Sequence, residues 1–173
     1  MDGVTTRIDT AHPAGERPGH SAVPADGLVH PVALAAVGLL VLNDHLLKGL
    51  WPGFVTGKLS DVAGLAFFPL VLLGLWEVAL WLARRWHGPR RRALAVAIVV
   101  TGIAFALVKT TPAGATAFGW GISFGQWVPA ALVGLVTGRT AQMGPPAAVA
   151  RDVTDLVALP ALLVAAWVGA RRR

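Results

Sequence analysis

Apolar residues along this chain are grouped into five long runs separated by short polar segments. The runs cover approximately residues 28–47, 62–83, 93–108, 120–138 and 156–170. Each run approaches the ~20 apolar residues that an α-helix needs to cross a bilayer. No run shows the alternation of apolar and polar positions that is typical of a transmembrane strand. The pattern predicts an all-α integral membrane protein, a bundle of four or five transmembrane helices.

The ends of the chain differ from this apolar region. Residues 1–27 contain several prolines and no apolar period, which predicts a disordered cytoplasmic tail. The first apolar run starts only near Leu28, and no small-residue cleavage site follows it closely, so we expect an uncleaved anchor rather than a signal peptide. Residues 28–170 are then a single transmembrane helical domain, and residues 171–173 form a basic C-terminal tail.

The composition supports this class of protein. Hydrophobic residues make up 55% of the 173 residues and charged residues only 14%, whereas a soluble domain has about 25% charged residues. These proportions exclude a large soluble catalytic domain. The chain contains no cysteine, so disulfides, thiolate metal sites and thiol catalysis are excluded.

The net charge of +6 comes from arginines that are clustered at residues 84–92 and 171–173. Short basic clusters beside apolar runs set the orientation in a membrane and contact anionic lipid head groups. We therefore expect a multi-pass protein of the plasma membrane with a cytoplasmic N-terminus. Its expected partners are the lipid bilayer and anionic head groups, and not nucleic acid. Five plain spans would place the 171–173 tail outside, against the positive-inside rule, whereas a fourth run that enters and returns would place it inside.

An internal repeat bears on this conflict. The sequence Lys-Leu-Ser-Asp at 58–61 and the sequence Arg-Asp-Val-Thr-Asp at 151–155 each precede an apolar run with an early proline. The two halves would be residues 28–83 and 93–170, with the fourth run inserted in the second half. Repeats of the same orientation are related by an axis along the membrane normal. A degenerate two-fold repeat and five plain spans both remain open.

Polar residues at membrane depth are costly and are by default functional candidates. Asn43, Asp44, His45 and Lys48 lie at the predicted outer end of the first helix. Asp44 and Lys48 are four residues apart and can pair on one helical face. His45 could relay a proton, but adjacent Asp and His are poorly spaced for a metal, so no metal site is predicted. The alternative is a local ion pair at the head groups.

The second candidate region includes the residues of the repeat. Ser60 or Asp61, and equally Thr154 or Asp155, could each cap the helix that follows, which is the structural alternative to a binding role. The chain has twelve arginines and three lysines, and all the lysines fall in the predicted outer half. This placement favours either a specific requirement for an ammonium or chance. The full set of candidate binding residues is Asn43, Asp44, His45, Lys48, Lys58, Ser60, Asp61, Lys109, Arg151, Thr154 and Asp155, and the candidate catalytic residues are Asp44, Asp61 and Asp155.

Recognised active-site motifs and nucleotide-binding loops are absent from the sequence, so no cofactor is predicted. An outward-facing cluster of mixed charge suits a small-solute or ion transporter or a channel-like protein. One alternative is a membrane-embedded hydrolase or transferase that acts on a lipid or lipid-anchored substrate with paired aspartates. Another is a non-catalytic accessory or assembly subunit. A homo-oligomer or a larger membrane complex is the expected protein partner.

Overall fold

A computed structural model describes residues 23–51, 53–88 and 90–171. Every regular element within these residues is helical, as the apolar pattern predicted. Four helices are long and apolar enough to cross a membrane: Phe54–Leu82, Arg91–Thr110, Pro112–Thr137 and Val153–Ala170. The apolar helix Pro31–Leu47 is shorter.

The first half of the chain forms a helical hairpin. A short 3-10 helix, Asp26–Val29, precedes α1 (Pro31–Leu42). The helix continues through a π-helical segment, Asn43–Leu47, and ends with a single turn, α2 (Lys48–Leu50). The long helix α3 (Phe54–Leu82) then packs back against α1.

The second half of the chain forms a second hairpin, and a further long helix is inserted between its two arms. Helix α4 (Arg91–Thr110) is separated from α5 (Pro112–Thr137) by Thr111 alone. Thr111 is extended and caps α5, since its hydroxyl accepts a hydrogen bond from the Gly114 N–H. An irregular segment follows α5, which we call the return segment (residues 139–151). The chain ends with a nine-residue 3-10 helix, Val153–Ala161, that continues into α6 (Leu162–Ala170).

The return segment runs back alongside α5. Helix α5 is followed by Gly138, whose φ of 69° lies in the left-handed region that glycine adopts readily. Side-chain and backbone hydrogen bonds then fix the antiparallel direction of the segment. They join Trp127 Nε1 to the Ala141 carbonyl (2.9 Å), Ser123 Oγ to the Pro145 carbonyl (2.8 Å) and Ala147 N to the Gly119 carbonyl (3.2 Å).

The remaining helices form a bundle whose core joins α1, α3, α4 and α6. Leu94, near the start of α4, packs close to Gly169 at the end of α6. At the opposite end of α6, Leu65 of α3 packs against Ala158 of the 3-10 helix. The buried residues of the main core are Ala33, Leu70, Leu73, Leu94, Ala97, Ala165 and Val168.

The bundle therefore has two distinct ends. We call the end with residues 54–61, 109–111 and 152–155 the lysine end. The end with residues 82–94 and 167–171 is the arginine end. Helix α5 leaves the bundle at the lysine end, and the return segment rejoins it there. The last helix therefore runs from the lysine end to the arginine end, and Arg171 lies at the same end as the 84–92 arginines. This is the arrangement that an inserted fourth run requires, while the duplication itself stays a prediction.

Replacing Gly119 tests the contact between α5 and the return segment. A Cβ atom at Gly119 would collide with the carbonyl oxygen of Ala147, whereas open space surrounds Gly121. We expect Gly119→Ala to lower the free energy of unfolding by about 1–3 kcal/mol because the backbone must move. Gly121→Ala should instead raise it by about 0.5–1 kcal/mol. Thermal unfolding of both purified variants in detergent measures the difference, and equal stability would contradict this contact.

Candidate functional site

Two lysines and two aspartates form a continuous ionic network at the lysine end. Lys58 Nζ lies 2.7 Å from Asp155 Oδ1, and Lys109 Nζ lies 2.6 Å from Asp155 Oδ2. Lys109 Nζ also lies 2.9 Å from Asp61 Oδ2. The four side chains are only 12–18% exposed. The charges alternate along the network, with Asp155 between two ammonium groups and Lys109 between two carboxylates.

Helix geometry brings these residues together. Lys58 and Asp61 are three residues apart and share one face of α3. Lys109 lies in the last turn of α4, where a positive charge complements the helix dipole. Asp155 lies in the first turn of the 3-10 helix, where a negative charge is favoured for the same reason. Three separate elements therefore contribute to the network.

Asp152 positions the beginning of the 3-10 helix. Its Oδ1 accepts hydrogen bonds from the Thr154 hydroxyl (2.7 Å) and from the Thr154 backbone N–H (2.9 Å). These two hydrogen bonds, led by the hydroxyl, hold the pKa of the exposed Asp152 carboxyl below its usual value. The Thr154 hydroxyl in turn accepts from Lys58 Nζ at 2.8 Å. Asp152, and not Thr154 or Asp155, therefore caps the 3-10 helix. The Asp-x-Thr spacing at residues 152–154 is the sequence signal for this cap.

The capping interpretation of Ser60 and Asp61 is also wrong. Helix α3 begins at Phe54, well before the apolar run at residue 62, so both residues lie inside the helix. Thr56 accounts for the earlier start, because its hydroxyl donates to the Gly53 carbonyl at 2.9 Å and accepts from the Gly53 N–H at 3.2 Å. The polar residues of the candidate site therefore occupy the first two turns of α3.

A second polar cluster joins the π-helical segment to α3. Asn43 is fully buried, and its Nδ2 donates to the Thr56 carbonyl and to Ser60 Oγ, both at 2.6 Å. The Ser60 hydroxyl donates to Asp44 Oδ1 at 2.7 Å. The Asn43 Oδ1 atom is buried, with no hydrogen-bond partner among the described residues. π-Helical turns often occur at functional sites, and this turn brings two predicted site residues to α3.

The other sequence candidates lie outside these two clusters. His45 is exposed on the π-helical segment, and Arg151 is exposed beside Asp152. The side chain of Lys48 falls outside the described part of the structure, so the predicted Asp44–Lys48 pair does too. Over residues 23–51, 53–88 and 90–171, no three His, Asp or Glu side chains converge as metal ligands would.

The alternating network can exchange partners with a charged solute. A carboxylate or phosphate could replace Asp155 between Lys58 and Lys109, and a cationic group could bind Asp61 and Asp155 in place of Lys109. The network holds two charges of each sign, so its protein groups are neutral overall before a solute binds. Comparisons of the chain with protein-family models, with curated proteins and with solved structures yield no match.

Proposed function

We propose that this chain is a multi-pass membrane transporter or channel-like protein that binds a small polar or ionic solute at its lysine end. The observation that carries the proposal is the network of Lys58, Asp61, Lys109 and Asp155. It links α3, α4 and the 3-10 helix within a bundle of apolar helices.

The energetics of buried charges support a functional role. Removing ions from water costs several kcal/mol for each ion, and apolar replacements of buried ion pairs are often at least as stable. A buried ionic network is therefore a costly way to stabilise a fold, which favours a functional role for this one. Charged groups at membrane depth commonly mark solute or ion pathways, and helix ends supply further partial charges to a solute.

The proposed orientation places the arginine end in the cytoplasm and the lysine end outside the plasma membrane. The positive-inside rule supports this orientation, since the 84–92 segment and Arg171 lie at one end. The segments of residues 31–50, 54–82, 91–110 and 153–170 would cross the membrane. Helix α5 and the return segment would lie on the outer side or re-enter from it. The contact of Asp61 and Asp155 with the same ammonium supports the two-fold repeat.

Solute flux through reconstituted protein tests the proposal. We expect proteoliposomes to respond to at least one of sodium, potassium, inorganic phosphate, acetate and glycine, measured as current or tracer uptake. Asp61→Asn should abolish this flux without lowering the amount of protein in the membrane, because Lys109 loses one of its two carboxylates.

Arg151→Gln is the matched control, since Arg151 is an exposed charge near the site. It should retain the flux. Failure of wild-type protein to move any of the five probes contradicts the proposal. A loss of membrane abundance in Asp61→Asn, with normal flux per molecule, would assign the network a structural role.

The convergence of Asp61 and Asp155 on Lys109 also favours a second candidate, a membrane-embedded hydrolase or transferase. Two neighbouring carboxylates can serve as acid and base when they share a proton. The Lys109 ammonium contacts both carboxylates in this structure, so Lys109 would have to move before they could share a proton. A lipid product formed by purified wild-type protein and lost in Asp61→Asn would favour this enzyme over the transporter.

A further inference from the structure

A groove between α3 and α4 at the arginine end lies far from the ionic network. Its volume is about 710 Å³, within the range of small-molecule sites. Buried Leu73 and Ala97 form its floor, and Trp76 and Val96 are exposed along its sides. The groove is thus an apolar depression on the surface of the bundle.

One end of this groove is strongly basic. Arg90, Arg91 and Arg92 all line it where α4 begins. Guanidinium groups bind phosphate oxygens in a bidentate geometry, and three of them in succession give this end a concentrated positive charge. The other lining residues are apolar, so charge and hydrocarbon surface are segregated along the groove.

The length of the groove matches one leaflet of a bilayer. From Arg91 to Val100, α4 rises roughly 14 Å. The hydrocarbon core of a bilayer is ~30 Å thick, so one lipid chain occupies about half of that thickness. A lipid whose phosphate contacts the arginines would therefore extend its acyl chain along Trp76 and Val96.

We propose that this groove is a binding site for one anionic phospholipid. The phosphate binds at Arg90–Arg92, and one acyl chain lies against Leu73, Trp76 and Val96. Basic pockets between helices on the cytoplasmic side of membrane proteins bind anionic head groups through the same chemistry. This site rests on membrane insertion, which is part of the proposed function, but not on solute binding at the lysine end.

Native mass spectrometry of the full chain in detergent tests the site. The delipidated protein is titrated with phosphatidylglycerol and, separately, with phosphatidylcholine of the same acyl chains. We expect one phosphatidylglycerol to be retained at least about tenfold more tightly than phosphatidylcholine. Asp61→Asn should keep this binding, so a failure of the lipid site is distinguishable from a failure of the transport proposal.

Paired variants locate the head group. Arg91→Gln with Arg92→Gln should weaken phosphatidylglycerol binding roughly thirtyfold. Arg84→Gln with Arg85→Gln removes the same charge from the same end of the bundle, outside the groove, and should have little effect. Equal losses in the two double variants would indicate a diffuse basic surface and overturn the proposal.

A second pair of variants locates the acyl chain. Val96→Trp fills the groove and should weaken binding about tenfold or more, whereas Val99→Trp adds the same ring to an exposed position outside it. Equal binding by these two variants would overturn the site. Competition by glycerol phosphate at the same concentration as the lipid would show a free-phosphate site, and a dimer lost only in Val96→Trp would assign the groove to a second copy of the chain. Either result replaces the lipid proposal.

Discussion

Lys109→Met should lower the free energy of unfolding by about 3–5 kcal/mol. The ammonium of Lys109 contacts the carboxylates of both Asp61 and Asp155, and it is only 13% exposed. Methionine preserves most of the side-chain volume but removes the charge, so the network is left with one positive and two negative groups. Unfolding of the purified variant in detergent, by heat or by denaturant, measures the change.

The size of this effect depends on the uncompensated carboxylate, and a double variant tests that cause. Adding Asp61→Asn to Lys109→Met leaves the balanced pair of Lys58 and Asp155, so it should recover much of the lost stability. Arg151→Gln removes an exposed charge nearby and should change stability by only about 0.5 kcal/mol. A loss below about 1 kcal/mol in Lys109→Met would indicate that water, and not the protein, solvates the network.

Single cysteines at His87 and Arg171 should react with a membrane-impermeant thiol reagent from the same side of the membrane, and a cysteine at Met143 only from the other side. The reason is that α6 ends beside Leu94 at the arginine end, while the return segment runs back along α5 and leads to Asp155 at the lysine end. The expected difference in labelling is all or none. The chain has no native cysteine, so each labelled protein reports one position.

Labelling after the membrane is permeabilised provides the control, since all three cysteines should then react. Five plain spans would place Met143 on the same side as His87, and Arg171 on the opposite side. That outcome would contradict the bundle in which α5 and the return segment begin and finish at one end.

Hydropathy alone located the helices, because apolar runs of this length have few alternatives to helix. It misplaced the start of α3, since Lys58, Ser60 and Asp61 are polar and yet helical. Their polar groups are satisfied by partners on other helices, which no local pattern can reveal. The internal repeat stays a prediction, and the structure adds only that Asp61 and Asp155 contact the same lysine.

The return segment could not be predicted from the sequence. Three of its hydrogen bonds end on the backbone carbonyls of Ala141, Pro145 and Gly119, and backbone acceptors leave no signature in the sequence. The π-helical turn at Asn43 is equally hidden, because the asparagine is placed by its contacts with Thr56 and Ser60 rather than by helix propensity.

The nine-residue 3-10 helix at Val153–Ala161 makes the last helical segment longer than an α-helix of the same residues would be. A 3-10 helix rises about 2.0 Å for each residue and an α-helix about 1.5 Å, so rewinding these nine residues as α-helix would shorten the segment by roughly 4.5 Å. The ionic contacts of Asp155 with Lys58 and Lys109 oppose that shortening, because they fix the lysine end of the 3-10 helix to α3 and α4. Neutralising the Asp155 carboxylate would remove these contacts. A change of charge at this position would then let the last helical segment shorten along its axis.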